Sequence, residues 1–187
     1  MKKIILISLL LVFGWLSAGA VDLNKDNRDP QYVESIVKRS QKIVDKLGLT
    51  DVKVAEDVRN VIANRYFELN DIYEVRDAKV KKIKESGLSG AAKDDALKAA
   101  EYEKDAALYR SHFAYPANLS LFLDEKQIEV VKDGMTYGVV KVTYDATIDM
   151  IPSLKEEEKA QIYAWLIEAR EFALDAENSD KKHAAFG

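Results

Sequence analysis

The residues able to do acid–base, nucleophilic or metal chemistry are unevenly supplied. There are 32 Asp and Glu, two histidines (His112 and His183) and no cysteine. The absence of cysteine excludes a cysteine nucleophile, a thiolate zinc site, a disulfide framework and an acylated lipoprotein anchor. Two histidines exclude a His-rich metal site. No Glu-x-x-His pair, no His-Glu-x-x-His motif and no phosphate-cradling glycine loop occurs, so nothing calls for a metal or cofactor. Paired carboxylates carry no information among so many acids, and a Ser-His-Asp set can be assembled only arbitrarily. His112 is expected as a surface or helix-packing residue.

Three stretches rise above this background. The first is Arg65-Tyr-Phe-Glu-Leu-Asn-Asp-Ile-Tyr-Glu-Val-Arg-Asp77. Leu69 and Ile72 mark an inward helical stripe, and Arg65 and Arg76 fall on its continuation. A buried arginine must be paired, and Asp71, Glu74, Glu168 and Glu171 are the expected partners. Such pairing builds either an ion-pair network holding this helix to the last long one or a polar site. The second stretch carries Met135, Thr136, Tyr137 and Tyr144 on a glycine-flanked loop, where function concentrates if the loop is ordered. The third is Trp165 with Glu168, Arg170 and Glu171. Trp165 is expected in the core; exposed, it would offer a flat apolar face beside charged groups, which suits a sugar ring.

The elements that position these residues are helices. An apolar share of 48% with few Gly and Pro favours one all-α domain over a turn-rich sandwich. Asp29-Pro30 opens a helix that Gly48 ends. Thr50 or Asp51 caps a long one with Val54, Val58, Val61, Ile62, Leu69, Ile72, Val80 and Ile83 at helical spacing. Gly87-Leu-Ser-Gly90 turns the chain into another, so the two form a long antiparallel hairpin with a charged, solvated tip. Pro116 should break the returning arm near residue 112. Asp124 and Gln127 form a capping box, and Ser153 and Glu156 a second. The stretch 134–141 reads as an irregular loop and 142–151 as a short helix, with a β-hairpin as the rival because Val140, Val142 and Tyr144 alternate. The last long helix turns Ile162, Trp165, Leu166, Ala169, Phe172 and Ala173 inward. Three to four shorter helices thus pack on the hairpin.

Residues 1–20 read as a signal peptide: Lys2 and Lys3, an apolar run from Ile4 to Leu16, and the small-x-small site Ala18-Gly-Ala20. The run is too short to span a bilayer comfortably. Residues 21–187 are then a single helical domain, periplasmic or secreted, with no membrane span after cleavage. Without Lys2 and Lys3, the 28 basic residues fall to 26 against 32 acids, a formal charge of −6. An acidic exported chain is a poor partner for nucleic acid or anionic lipid.

The runs Leu69–Asp77, Asp133–Tyr144, Asp149–Lys159, Glu168–Glu171 and Lys182–Gly187 resemble an uncharacterised family. Its members are secreted proteins of gut-type Gram-negative bacteria, often encoded beside polysaccharide-degradation genes and labelled as sugar-binding. The resemblance covers about residues 30–187 and implies no catalytic residues. Ala185 stands where the family carries Trp, Pro116 interrupts a helix continuous in the family, and a basic, aromatic tail is expected after Gly187. A second similarity is to periplasmic chaperones and stress sensors with Leu-Thr-x-x-Gln repeats, at Leu47–Thr50, Leu123–Gln127 and Leu154–Glu158. Ordinary helix capping also produces that pattern.

Two functions follow as expectations. One is a carbohydrate-associated protein of a polysaccharide-utilisation system, with an oligosaccharide as partner. Its site would gather Asn70, Asp71, Glu74, Arg76, Tyr137, Tyr144, Trp165, Glu168 and Arg170. The other is an envelope chaperone or scaffold acting through an exposed face. Oligomeric state is left open.

Overall fold

The computed structural model describes residues 20–187, so the stretch 1–20 read as a signal peptide lies outside the described residues except for Ala20. The fold is all-α, and no strand occurs among the described residues. Helix α1 (Pro30–Val44) starts as its sequence dictates: the Asp29 carboxylate accepts the Tyr32 N–H at 2.9 Å, with Pro30 at the first helical position. It stops at Val44, earlier than expected, because residues 45–48 form a turn that Gly48 closes at φ +65°. A side chain there would strain the left-handed backbone.

Asp51 caps α2 (Val52–Glu85), whose 34 residues span ~50 Å. Helix α3 (Gly90–His112) returns alongside it. The break expected from Pro116 falls at Phe113, and the chain restarts as α4 (Ala114–Leu119). Pro116 is then the third residue of a new helix, where its missing N–H has no intrahelical acceptor to lose. Helix α5 (Glu125–Met135) begins with the reciprocal Asp124–Gln127 box.

The irregular segment is shorter than 134–141. Helix α5 runs through Met135 and α6 (Val139–Met150) starts directly after Gly138, leaving Thr136, Tyr137 and Gly138 as the turn. Met135, Thr136 and Val140 are buried, so packing holds both helices up to the turn. It also overrides the weak helix preference of the Val- and Thr-rich run that made a hairpin the rival. Tyr137 and Gly138 absorb the reversal at φ +61° and +67°. Helix α7 (Glu156–Leu174) starts two residues later than expected. Pro152 and Ser153 are used in a turn closed by the Leu154 N–H on the Ile151 carbonyl, and Glu158, not Glu156, reaches back to the Lys155 N–H at 2.8 Å. Helix α8 (Ser179–Ala184) is capped by Asn178.

The core sits at the base of the hairpin. Ile36 and Ile43 of α1, Val58, Ile62 and Phe67 of α2, Leu119 of α4, and Val131 and Met135 of α5 form it, with Leu174 closing it from α7. Beyond Leu69 no side chain of α2 is buried. The distal arm is instead laced by Lys79 to Glu103, Arg76 to Glu101 and Lys104 to Glu101. The charged tip is therefore a solvated face of a thin arm.

Gly134 marks the closest approach of α5 to α1. A Cβ there would sit 2.9 Å from Ile43 Cγ1 and 3.0 Å from Cγ2, the branch atoms of a buried, stiff side chain. Gly134→Ala should therefore destabilise by ~1–2 kcal/mol, overpacking exceeding the ~1 kcal/mol gained in helix propensity. Urea unfolding at constant slope is the measurement.

Candidate functional site

Arg65 points off α2 toward the end of α7 and is buried. Its guanidinium reaches Asp175 Oδ1 at 2.5 Å, Glu68 Oε2 at 2.6 Å and Ser111 Oγ at 2.8 Å. Asp175 is the residue that ends α7. Its other carboxylate oxygen holds His112 Nδ1 at 2.8 Å, and its carbonyl accepts the Tyr73 hydroxyl at 2.8 Å. One residue thus joins α2, α3 and α7. A carboxylate can only accept, so His112 carries its proton on Nδ1 and, in the neutral ring, leaves Nε2 as a lone-pair acceptor. Beside it lies a small concavity lined by His112, Pro116, Lys132 and Glu171.

Lys182 of α8 completes the junction from the other side. It is buried, and its Nζ donates to the Ala173 and Leu174 carbonyls at 2.8 and 3.1 Å, capping α7. Burial lowers its pKa to about 8; the Asp175 charge opposes the shift, and Arg65 and Arg39 add to it. His183, next in sequence, stacks on Tyr137 with ring centres 5.4 Å apart.

Arginine pairing occurs as expected, and the network does hold the hairpin to the last long helix, but through other acids. Arg65 uses Glu68 and Asp175. Arg76 uses Asp77, Glu101 and Glu177. Neighbours on α2, Glu101 of α3 and the residues that end or follow α7 supply these carboxylates, whereas Asp71 and Glu74 are drawn elsewhere. Asp71 is gripped through both oxygens by Arg28 at 2.7 and 2.6 Å, and Glu74 accepts from Asn70 at 2.8 Å. Arg170 is buried against Asp133 and Glu129 of α5 and Glu171 of its own helix. Burial penalises the Arg170 charge, but the bonds to Asp133 and Glu129 outweigh that and raise its pKa.

The nine residues expected to form one site are dispersed. Asp71 lies in a cleft of about 810 Å³ between residues 21–24, α2 and the α3–α4 corner. Asp71 and Arg76 share a second groove along α2 and α3. Tyr137 borders a groove of about 830 Å³ against the Lys38, Arg39 and Lys42 side of α1 and Lys46 of the turn after it. Tyr144 meets Tyr163 edge-on at 5.4 Å. Trp165 and Glu168 stand on the outer face of α7.

That outer face is the correction with most consequence. Trp165 is 60% and Phe172 70% exposed, although both were expected to point inward. They lie seven residues apart, within ~20° on the helix and ~10 Å along it. Leu166 and Ala173, one residue further on, form the parallel stripe ~100° round the helix, and that pair is buried. Helices α5, α6 and α8 pack on that side of α7. Glu168 lies between the two exposed rings, with no ion-pair partner among the described residues. Two exposed aromatic rings with a free carboxylate between them can stack a ring-shaped ligand and accept its hydroxyl protons.

Sequence reasoning missed Asp175 and the paired role of His112. Their separation along the chain left no local signal.

The family model described as "Protein of unknown function (DUF3826)" matches residues 33–187. The chain belongs to this uncharacterised family. The match covers nearly the region in which the sequence resemblance was found. No curated protein matches the chain.

Two outcomes follow from the junction. Asp175→Asn should cost about 2–3 kcal/mol, below the ~3–5 kcal/mol of a fully buried pair, because Glu68 still serves Arg65 and Asp175 is partly solvated. Chemical denaturation measures it. Lys182 should lose its proton near pH 8, seen as an Nζ or Cε titration by heteronuclear NMR. Its folded pKa lies below the unfolded value of ~10.4, so its ammonium costs stability fully below pH 8. Stability should therefore gain from this group as pH rises from about 8 to ~10.4, a gain absent in Lys182→Met.

Proposed function

We propose that the protein is exported and binds carbohydrate, as part of a polysaccharide-utilisation system, with the outer face of α7 as its contact surface. The observation that carries this reading is the exposure of Trp165 and Phe172 on one stripe with Glu168 between them. Exposed rings two helical turns apart suit rings that are not adjacent in an extended oligosaccharide, stacking for their axial C–H faces and an acceptor for the hydroxyls between. The sequence resemblance to proteins encoded beside polysaccharide-degradation genes supports the same reading. So does the signal-like start of the chain.

The cleft around Asp71 is a deeper concavity than the α7 face, but the charged and amide groups on its α2 wall are already engaged. Arg28 takes Asp71, Arg65 takes Glu68, and Asn64 bonds the backbone of residues 22 and 24. Groups satisfied inside the protein gain little from a ligand. Glu168 and the α7 rings have no such commitment.

A second reading, an envelope chaperone or scaffold, is favoured by a different observation. Tyr102 and Tyr109 of α3 and Phe113, the residue that ends it, are all strongly exposed, and spacings of seven and four place them toward one side. Tyr109 and Phe113 touch edge-on at 5.6 Å. Such a stripe fits an apolar partner segment better than a sugar.

The experiment is a thermal-shift and tryptophan-fluorescence screen against plant and host oligosaccharides. At a hundredfold excess over Kd, a binder should gain ~2.7 kcal/mol, about 5–10 °C in Tm for a chain of this size. Trp165→Ala should abolish the response while leaving the ligand-free Tm within about 1–2 °C, because the ring is exposed. Glu168→Gln should weaken binding about tenfold. A response that survives Trp165→Ala would sink the α7 surface. A flat panel, together with partner capture lost in Tyr109→Ser, would move the assignment to the scaffold.

A further inference from the structure

Residues 21–24 form no helix, yet α2 holds their backbone at four points. Three α2 side chains, spaced three and four apart and so on one face, do this. The Asp57 carboxylate accepts the Val21 N–H at 2.9 Å. Asn60 donates to the Val21 carbonyl at 2.8 Å. Asn64 donates to the Asp22 carbonyl and accepts the Asn24 N–H, both at 2.8 Å. Further on, Arg28 donates to the Asn24 carbonyl at 2.9 Å, grips Asp71 and lies over the Phe67 ring at 4.7 Å. Val21 and Leu23 pack against the core, which fixes the register. The clasp begins at the residue that follows the small-x-small sequence Ala18-Gly-Ala20.

The three holding side chains are not alike. Two are amides, which suffice for neutral backbone groups. The third, at Val21, is a carboxylate whose side chain is 5% exposed. Burying a carboxylate for one neutral N–H is costly. Lys53 covers both its oxygens at 2.8 and 2.7 Å, but that lysine is itself more than half exposed. A positive group at the Val21 nitrogen would offset the burial far better than an amide does.

We propose that hydrolysis of the Ala20–Val21 bond by a signal peptidase creates that positive group, and that the new α-ammonium of Val21 is held by Asp57. Water adds across the peptide C–N bond. Ala20 leaves as a carboxylate on the released peptide, and the Val21 nitrogen takes up a proton to become an ammonium at neutral pH. Processing then supplies the final charge of the clasp, so the mature chain is more stable than its precursor. The proposal rests on the export part of the function above and is independent of carbohydrate binding.

The test has two arms. Full-length protein expressed in a Gram-negative host and recovered from the periplasm should begin at Val21 by N-terminal sequencing and intact mass. A different first residue, or an uncleaved chain, overturns the proposal together with export processing at this site. In the second arm, protein released from a removable fusion to start at Val21 is compared with protein carrying one extra residue, Ala20. The Val21 form should melt about 3–6 °C higher, and Asp57→Asn should close that gap. Equal melting of the two forms, or a gap that persists in Asp57→Asn, overturns the ion pair while leaving export and the α7 surface untouched. Loss of the oligosaccharide response in the Trp165→Ala screen bears on neither arm.

Discussion

The arrangement of this fold depends on one buried guanidinium and the carboxylate that answers it. Arg65 lies on the inner stripe of α2, where an unpaired charge would be intolerable. Asp175 meets it from the end of α7 and, with its second oxygen, orients His112 of α3. Because Asp175 also terminates its helix, the pairing fixes where α7 stops as well as where it lies. Lys182 then caps the same helix end from α8, and His183 stacks on Tyr137. The short C-terminal helix is thereby tied to the α5–α6 turn.

The same rule operates at each edge of the molecule. Arg170 anchors α7 to α5 through Asp133 and Glu129. Burial disfavours the Glu129 charge, but Arg170 and Lys132 outweigh it and hold the carboxyl below its ordinary range. Asp57 anchors the N-terminal segment to α2. Burial opposes its ionisation too, yet Lys53 and the Val21 N–H keep its pKa lowered. These anchors commit Arg28, Arg65, Asp71 and Arg170 inside the protein. They leave the outer faces of α7 and α3 with exposed rings and no internal partner, which is why contact surfaces are sought there.

Much of the helical framework was legible because its signals are local. Asp29-Pro30, Asp51, the Asp124–Gln127 box and Pro116 each act within one turn, and each falls at the helix boundary it implies. The paired state of Arg65 was legible as well, since burying a guanidinium requires a carboxylate whatever the fold. The family likewise lies in the sequence, matched across residues 33–187.

The tertiary structure decided which partners and which faces. Asp175 lies 110 positions from Arg65 along the chain, so no spacing rule could nominate it over Asp71 or Glu168. On α7, the Trp165–Phe172 and Leu166–Ala173 pairs have the same period and comparable apolarity. Only the side on which α5, α6 and α8 pack determines which pair is buried. Packing likewise carried the Val-rich stretch after Gly138 into α6, against its local preference. Helix period and end chemistry are properties of neighbouring residues. Facing and charge pairing belong to contacts that exist only once distant segments meet.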